Sequence, residues 1–388
     1  MGRRTLWLAE SIPAVALAAP AQTTLPGKAS VADLARRAMA ETGAKGLAIA
    51  VIDNGQVRSV QAFGARNSKG QPLTPATVMY GASLTKTLFA YYALMLVDEG
   101  KLDLDRPVAA LLPRPLPDYG NLDAYGNWGD LAGDERWRRI TPRHILTHSS
   151  GFANFSFLEP GGKLRFQFDP GTRYAYSGEA MMLLQFALDE GLKLATGAEL
   201  QRRILAPLGM TMTSLKWRPE FALNLSDGWR ADGTIESHDE RSRVRVAGSM
   251  DTTISDLARF GAAMARGWGL SKRSRMMMSR PQLAINTRQQ FPTLSPEVAP
   301  NKRWPGLAAG LGVITFSGPQ GRGFYKGGHN DSTANTLVCL EARRRCVLIL
   351  ANDVRAEAAF PRLVHAILGE TGVPYGWEYP GLTPLKRN

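Results

Sequence analysis

The sequence predicts an α+β protein, an α/β sandwich in which helices flank one antiparallel sheet. Two observations predict this class. Short apolar runs bounded by turn signals, which are typical of strands, occur at 46–63 and again at 311–351. Stripes of apolar residues at helical spacing dominate the chain between them. Strands at both ends of a helical middle indicate one sheet built from both termini, with a mostly helical segment inserted.

The same pattern predicts the domain organisation. We expect one domain over 22–388, which is long enough to bury a substantial core. Its sheet subdomain covers about 30–106 and 311–370, and the inserted helical subdomain covers about 107–310.

Local sequence justifies each element in turn. The apolar run 47–52 predicts a strand, the Asp-Asn-Gly sequence at 53–55 predicts a hairpin turn, and 57–63 is the returning strand. A helical stripe covers 83–99 and ends at a glycine. Further helices are predicted at 141–148, 179–197, 254–266 and 357–368, and further strands at 311–316, 336–340 and 346–351.

Composition and charge exclude two classes of function. The net charge of +13 is high, but the basic residues are scattered and no basic stripe alternates with aromatic residues. We therefore expect a solvated surface and no nucleic-acid partner. The densest basic runs, 272–275 and 343–345, are predicted in turns or loops. No apolar segment is long enough to predict a membrane span.

The N-terminus has the features of an export signal over 1–21. Arg3 and Arg4 precede an apolar stretch at 14–19, and small residues at 19–21 form a cleavage pattern. Glu10 interrupts the apolar region. This pattern predicts a periplasmic or secreted protein, with a cytoplasmic location as the alternative.

The two cysteines, Cys339 and Cys346, flank the tip of a predicted hairpin. Facing positions on a hairpin can support a disulfide in an oxidising compartment. Two buried thiols that act as small apolar side chains are an equal alternative.

The chemical signal that begins the functional argument is Ser83-Leu84-Thr85-Lys86, at the start of the 83–99 helix. Residues three apart share a helix face, so the hydroxyl and the amine can meet. The helix N-terminus favours a developing oxyanion, and a desolvated lysine can lose its proton and act as the base. The alternative is a serine helix cap followed by a surface lysine.

Further segments extend this motif in a fixed order along the chain. They are 79–87 and 96–105 around the serine, followed by 140–151, 170–177 and 208–210. Over about 30–370 the sequence resembles the serine β-lactamase and penicillin-binding-protein superfamily. It is most similar to class C β-lactamases and their esterase relatives, the family VIII carboxylesterases. The resemblance implies serine acyl transfer, and we expect no cofactor.

The resemblance implies two further parts of the site. The family's Tyr-x-Asn motif falls on Tyr176 and Gly178, with glycine in place of the asparagine. It implies that Tyr176 shares the role of base with Lys86. A phenol held between two ammonium groups is expected to have a lowered pKa.

The third family motif, Lys-Thr-Gly on the strand that lines the site, falls on Lys326, Gly327 and Gly328. The resemblance implies that Lys326 supplies positive charge beside the substrate. It also implies that the backbone amides of Ser83 and His329 form the oxyanion hole.

Departures from the family motifs bear on the substrate. Gly178 lacks the amide side chain that would bind a β-lactam, Gly327 lacks the threonine hydroxyl that helps to hold a carboxylate, and Gly248 leaves the site open. We therefore expect an esterase-like serine hydrolase of small ester or amide substrates. A β-lactamase or D-amino-acid peptidase is the alternative within the family, and a non-catalytic penicillin-binding or sensor protein is the alternative outside catalysis. The oligomeric state stays open.

Other candidate motifs give weaker evidence of function. His144 and His148 have the i, i+4 spacing of a metal pair, but no third ligand motif accompanies them, so we expect packing roles and no metal site. The GxSxG pattern of α/β-hydrolases is absent. The loops at 119–137 and 219–245 are expected to wall the pocket.

Overall fold

The computed structural model describes residues 25–379, so the predicted leader at 1–21 lies outside the described residues. The α-helices are α1 (Lys28–Thr42), α2 (Leu84–Asp98), α3 (Pro142–Leu146), α4 (Gly178–Phe186), α5 (Thr196–Leu200), α6 (Ile254–Arg266), α7 (Lys272–Ser279), α8 (Phe360–Leu368) and α9 (Tyr375–Glu378). Two π-helical turns, Ala187–Gly191 and Gln201–Leu205, extend α4 and α5.

The strands are β1 (Gly46–Asp53), β2 (Gln56–Gly64), β3 (Met79–Tyr80), β4 (Asn121–Leu122), β5 (Gly126–Asn127), β6 (Gly228–Trp229), β7 (Ile235–Glu236), β8 (Asp251–Thr252), β9 (Leu283–Ala284), β10 (Ala308–Ala309), β11 (Ile314–Gly318), β12 (Gly321–His329), β13 (Ala334–Leu340) and β14 (Arg345–Ala351). Short 3-10 helices cover Val108–Leu111, Leu116–Tyr119, Trp128–Leu131, Glu135–Arg139, Ser156–Leu158, Pro160–Gly162, Pro219–Asn224, Pro300–Lys302, Ala342–Arg344 and Val354–Ala359.

An antiparallel sheet of eight strands joins both ends of the chain, as predicted. Its spatial order is β2-β1-β14-β13-β12-β11-β10-β9. The N-terminal strand β1 pairs with the C-terminal strand β14, with Ile49 opposite Ile349. The remaining strands pair two by two outside this sheet. The expected α+β architecture is therefore confirmed.

Alternate residues of β1 enter two different cores. Ala48 and Ala50 face the core formed with α2, α4 and α6, whereas Leu47 and Ile49 face the core formed with α1 and α8. Because both faces of the strand are covered, its sequence is an unbroken apolar run rather than an alternating one.

Most of the predicted elements form where they were expected. The hairpin turn has positive φ at Asn54 (52°) and Gly55 (72°), as its sequence requires. The helix 254–266 is confirmed as α6, whereas the predicted helix 179–197 is interrupted after Gly191 and resumes at Thr196.

The prediction that the basic run 272–275 lies in a loop is wrong, because it forms the first turn of α7. Ser271 caps this helix by accepting from the Ser274 amide, and Asp98 accepts hydrogen bonds from both serine hydroxyls. A partner more than a hundred residues away therefore stabilises a helix that local sequence does not predict.

The segment 107–310 is not only a helical insertion. It supplies the edge strands β9 and β10. It also supplies α6, whose Gly261 lies against Ile52 and Leu348 of the sheet. Helix α6 covers the sheet face on which α2 lies, and so it contributes to the layer that carries the site.

Cys339 and Cys346 form a disulfide between directly opposed positions of β13 and β14. The structure thus decides between the two alternatives for the cysteines. Among residues 25–379, no helix is both long enough and apolar enough to cross a membrane.

Candidate active site

The N-terminus of α2 presents Ser83 on a tightly held turn. Ala82, directly before it, has a φ of 46°, a left-handed conformation that costs a residue other than glycine about 1 kcal/mol. The Thr85 hydroxyl donates to the Ala82 carbonyl at 2.5 Å and accepts from the Met250 amide at 3.1 Å. The Gly81 amide donates to the Met250 carbonyl at 2.8 Å. These buried contacts hold the strained turn at the site.

Lys86 lies one helical turn after Ser83, on the same face of α2. Its Nζ lies 3.1 Å from Ser83 Oγ and also donates to the Ala247 carbonyl. The side chain is only 1% exposed. Burial, and then repulsion by Lys326, hold the pKa of Lys86 well below its ordinary value of 10.5. The geometry therefore places an amine with a lowered pKa within hydrogen-bond distance of the serine hydroxyl, as a general base requires.

Tyr176 lies between two lysines, as the family motifs implied. The Nζ atoms of Lys86 and Lys326 are each 4.9 Å from the centre of its ring. Its hydroxyl accepts from Lys326 Nζ at 3.4 Å, and the Ser83 side chain lies close enough to oppose the rise that burial causes in the pKa of the phenol. Tyr176 therefore connects the serine to both lysines.

The expectation of a lowered pKa for Tyr176 is wrong. Burial raises the pKa of this phenol above its ordinary value of 10.0. The physical reason is that the site removes water from the phenolate, and the two nearby amines do not compensate for that loss. Tyr176 is thus protonated and can donate a hydrogen bond, while Lys86 has the lowered pKa that a base requires.

His148 packs against the Tyr176 ring. The two ring centres are 4.4 Å apart, and His148 Nδ1 accepts from the Ser177 amide at 3.2 Å. Burial lowers the pKa of His148 well below 6.5, so it is neutral. The other histidine of the pair, His144, accepts from the Thr141 amide at 3.4 Å in a capping box. Both rings therefore bind backbone groups.

Strand β12 brings its motif residues against the start of α2. Lys326 Nζ also donates to the Gly327 carbonyl at 2.7 Å. A side-chain carbon on Gly328 would lie 3.0 Å from the Ser83 amide nitrogen, so only glycine fits there without displacement. The next residue, His329, ends the strand. The backbone amides of Ser83 and His329, which the family resemblance assigns to the oxyanion hole, therefore belong to adjoining segments.

Gly178 contacts a neighbouring loop, Asn154 and Phe155. This residue begins α4, and its amide donates to Asn154 Oδ1 at 3.0 Å. A side chain on Gly178 would collide with the Phe155 ring, which covers it. Asn154 and Phe155 line the cavity in its place. Because these two residues reach the site from a separate loop without a motif, no sequence pattern predicts them.

A cavity of about 650 Å³ opens over Ser83 and Lys86. The predicted wall 219–245 is confirmed for its last part, since residues between Asp239 and Arg245 line the cavity. The predicted wall 119–137 is wrong, because none of its residues lines that cavity and Tyr119, Tyr125 and Trp128 pack around Phe186 instead. That packing belongs to the buried core of the insertion.

The open space expected at Gly248 is partly closed by Tyr80. A side-chain carbon on Gly248 would lie 3.3 Å from the Tyr80 hydroxyl, and Tyr80 lines the cavity. The Arg241 guanidinium stacks on the Tyr80 ring at 3.7 Å and pairs with buried Asp251 at 3.3 Å. A phenol thus reaches this side of the site from β3.

Comparison with known proteins identifies the family. The sequence model of the Beta-lactamase family matches residues 31–369. The chain belongs to the beta-lactamase family. This membership agrees with the positions of Ser83 and Lys86 at the start of α2, of Tyr176 before α4, and of the two glycines in β12.

Curated relatives of this family member include acyltransferases and esterases. Monacolin J acid methylbutanoyltransferase of Aspergillus terreus is 32% identical over 225 residues, which cover 48% of this chain and 52% of that protein. Lovastatin esterase of Penicillium rubens is 30% identical over 36% of this chain and 40% of its own length. Esterase EstB of Burkholderia gladioli is 30% identical over 42% of this chain and 37% of its own. The chain spans about half the length, or less, of these relatives.

Solved structures share the fold over nearly the whole chain. An octameric penicillin-binding protein homologue from Pyrococcus abyssi has a TM-score of 0.69 at 20% identity, covering 89% of this chain and 78% of its own. The D-alanine carboxypeptidase AmpC from Burkholderia cenocepacia also has a TM-score of 0.69, at 18% identity, covering 88% and 98%. The β-lactamase/transpeptidase-like fold of this beta-lactamase family member is therefore shown.

Proposed function

We propose that this beta-lactamase family member is a serine hydrolase that cleaves small esters through an acyl-enzyme on Ser83. The family and its relatives support the coarser statement, an enzyme of the serine hydrolase or acyltransferase type. The observation that carries the proposal is the 3.1 Å contact between Ser83 Oγ and the buried amine of Lys86. A lysine with a lowered pKa beside a serine hydroxyl is the arrangement that nucleophilic catalysis requires.

The site residues define the steps. Ser83 Oγ attacks the ester carbonyl carbon while its proton passes to Lys86, directly or through the hydroxyl of Tyr176. The backbone amides of Ser83 and His329 stabilise the oxyanion. The alcohol leaves with that proton, and the acyl group stays on Ser83 Oγ. Water then attacks the acyl-enzyme by the same relay, which releases the acid and restores the free serine.

Two features support esters over β-lactams. Gly178 supplies no amide side chain, and Phe155 occupies the space above it. Gly327 supplies no hydroxyl, and the carboxylate of Glu378 lies where a side chain on that residue would begin. A site without these polar contacts discriminates weakly in favour of a β-lactam. Hydrolysis of a simple ester requires none of them.

We also propose that residues 1–21 direct the protein to the periplasm or outside the cell. The Cys339–Cys346 disulfide supports this location, because disulfides persist in oxidising compartments. Fractionation of the source cells, with N-terminal sequencing of the mature chain, tests it. A full-length chain found only in the cytoplasm contradicts the proposal.

Ester hydrolysis by the Ser83→Ala variant tests the catalytic proposal. Ser242→Ala is the matched control, since Ser242 also lines the cavity but is exposed. We expect p-nitrophenyl butyrate hydrolysis to disappear in the first variant and to persist in the second. Faster turnover of nitrocefin than of short esters would instead support a β-lactamase. A stable penicillin adduct without turnover would support a sensor.

A further inference from the structure

An exposed apolar surface continues the lining of the cavity beyond Phe155. Phe155 lines the cavity, and its ring stacks on the Phe157 ring with 5.1 Å between the ring centres. Phe157 and Leu158 are 68% and 61% exposed, and within residues 25–379 no other two consecutive large apolar side chains are both exposed. We call Phe155, Phe157 and Leu158 the apolar ledge. Single exposed apolar residues are ordinary, whereas a contiguous exposed apolar patch marks a binding surface.

Hydrogen bonds fix the loop that carries the apolar ledge to the start of α4. Asn154 Oδ1 accepts from the Gly178 amide at 3.0 Å, and the Asn154 carbonyl accepts from the Glu179 amide at 2.8 Å. The Ser156 amide donates to Glu179 Oε2 at 3.2 Å. Because Gly178 follows Tyr176 by only two residues, these bonds hold the apolar ledge in a fixed position relative to the site. A ligand that binds there therefore orders little of the protein.

The rest of the cavity lining shows where an apolar group can bind. The charged residues of the segment 239–245 that line the cavity are Asp239, Glu240, Arg241, Arg243 and Arg245. An apolar chain placed against them would cover polar groups without replacing their hydrogen bonds to water, which is unfavourable. Contact with Phe155 has no such cost. The cavity, at about 650 Å³, has the size of sites that hold drug-sized ligands, so it has room for more than an ester group.

We propose that the apolar ledge binds an alkyl chain of the ester while the ester carbonyl lies at Ser83. The substrates are then esters with a medium-length alkyl chain, on the acid side or on the alcohol side of the ester bond. This inference deepens the proposed function and rests on it for its kinetic consequence. The affinity of the apolar ledge for an alkyl chain is independent of catalysis, since it comes from apolar surface removed from water.

The dependence of kcat/KM on chain length tests the proposal. One series consists of p-nitrophenyl esters from acetate to decanoate, and the other of butyrate esters of linear primary alcohols, followed by release of acid. In one of the two series we expect kcat/KM of the wild type to rise about twofold per methylene, since a ledge covers one side of a chain and gives about half the free energy of full burial. The series that rises identifies the side of the ester bond that carries the chain.

The double variant Phe157→Ser and Leu158→Ser tests the apolar ledge itself. Both side chains are exposed, so their replacement leaves the core packing intact. In the rising series, the ratio of kcat/KM for the octyl-length chain to that for the shortest chain should fall by about tenfold or more, and by less in each single variant. Leu223→Ser is the control. Leu223 is 83% exposed and does not line the cavity, so this variant should keep the wild-type ratio.

An unchanged ratio in the double variant overturns the proposal, and so does a wild type without a rise in either series. A double variant that changes its sedimentation coefficient but keeps the ratio would assign the apolar ledge to contacts between copies of the chain, which is equally contrary. Binding of decan-2-one, which has the chain but no leaving group, gives a second reading by calorimetry. The double variant should bind it several-fold more weakly than the wild type even if Ser83 proves not to be a nucleophile, which separates the two proposals.

Discussion

Lys86 Nζ lies 3.1 Å from Ser83 Oγ, within a helix whose periodicity places residues three apart on one face. The amine is buried, and burial followed by repulsion from Lys326 holds its pKa well below the ordinary value. This relationship connects a short sequence motif to a definite chemical capacity.

Lys86→Met should lower kcat for ester hydrolysis by about 10³-fold, because it removes the general base but keeps an apolar stem of similar length. Lys101→Met, beyond the end of α2 and exposed, is the control and should keep full activity. Steady-state kinetics at pH 7 measures both. Activity in Lys86→Met within tenfold of the wild type would show that another group is the base.

The pH profile should be bell-shaped. Activity should rise with pH as Lys86 gives up its proton, and should fall as Lys326 loses its proton at a pKa of about 8. In Lys326→Arg the alkaline limb should disappear up to pH 10, because a guanidinium stays protonated. Measurement of kcat/KM from pH 5 to 10 tests this prediction. The same alkaline limb in the wild type and in Lys326→Arg would contradict a role for Lys326.

Gly328→Ala should lower kcat by about 100-fold with a smaller effect on KM, as the loss of an oxyanion-hole donor does. The added methyl group would lie 3.0 Å from the Ser83 and Leu84 amides and would separate β12 from α2. Gly376→Ala, where the added carbon meets only the Trp304 ring at 3.6 Å, serves as the control. Unchanged kcat in Gly328→Ala would place the oxyanion elsewhere.

Gly178→Asn, which restores the family motif, should not create β-lactamase activity. The new side chain would collide with Phe155, and such overpacking costs about 1–3 kcal/mol of stability. We expect a lower Tm and slower ester hydrolysis. The double variant with Phe155→Ala should recover the Tm, since it removes the clashing ring. A stable, nitrocefin-hydrolysing single variant would disprove this explanation of the glycine.

The parts of the site that the sequence predicted are those that local periodicity or a family motif could specify. Ser83 and Lys86 share a helix face, and Gly328 lies where its motif implied. The raised pKa of Tyr176 could not be predicted in this way, because burial is a property of the folded structure. Glu378 was also missed, since only the packing of the C-terminal segment brings it to β12.

The same distinction applies to the fold. The strands β1 and β14 are apolar runs bounded by turn signals, so local sequence predicted both of them as strands. Helix α7 was missed because its stabilising partner, Asp98, is remote in the sequence. Strands β9 and β10 form one edge of the sheet. Each has only two residues, which is too few to show a periodic pattern in the sequence.

Peptide mapping after reaction with a fluorophosphonate tests the central claim most directly. The proposal predicts one phosphonyl group on the peptide that contains Ser83, formed by displacement of fluoride and in parallel with the loss of ester hydrolysis. Ser83→Ala should remain unlabelled, and Ser242→Ala should be labelled like the wild type. An active preparation that becomes inhibited with Ser83 unmodified, or with the adduct on another residue, would contradict an acyl-enzyme on Ser83.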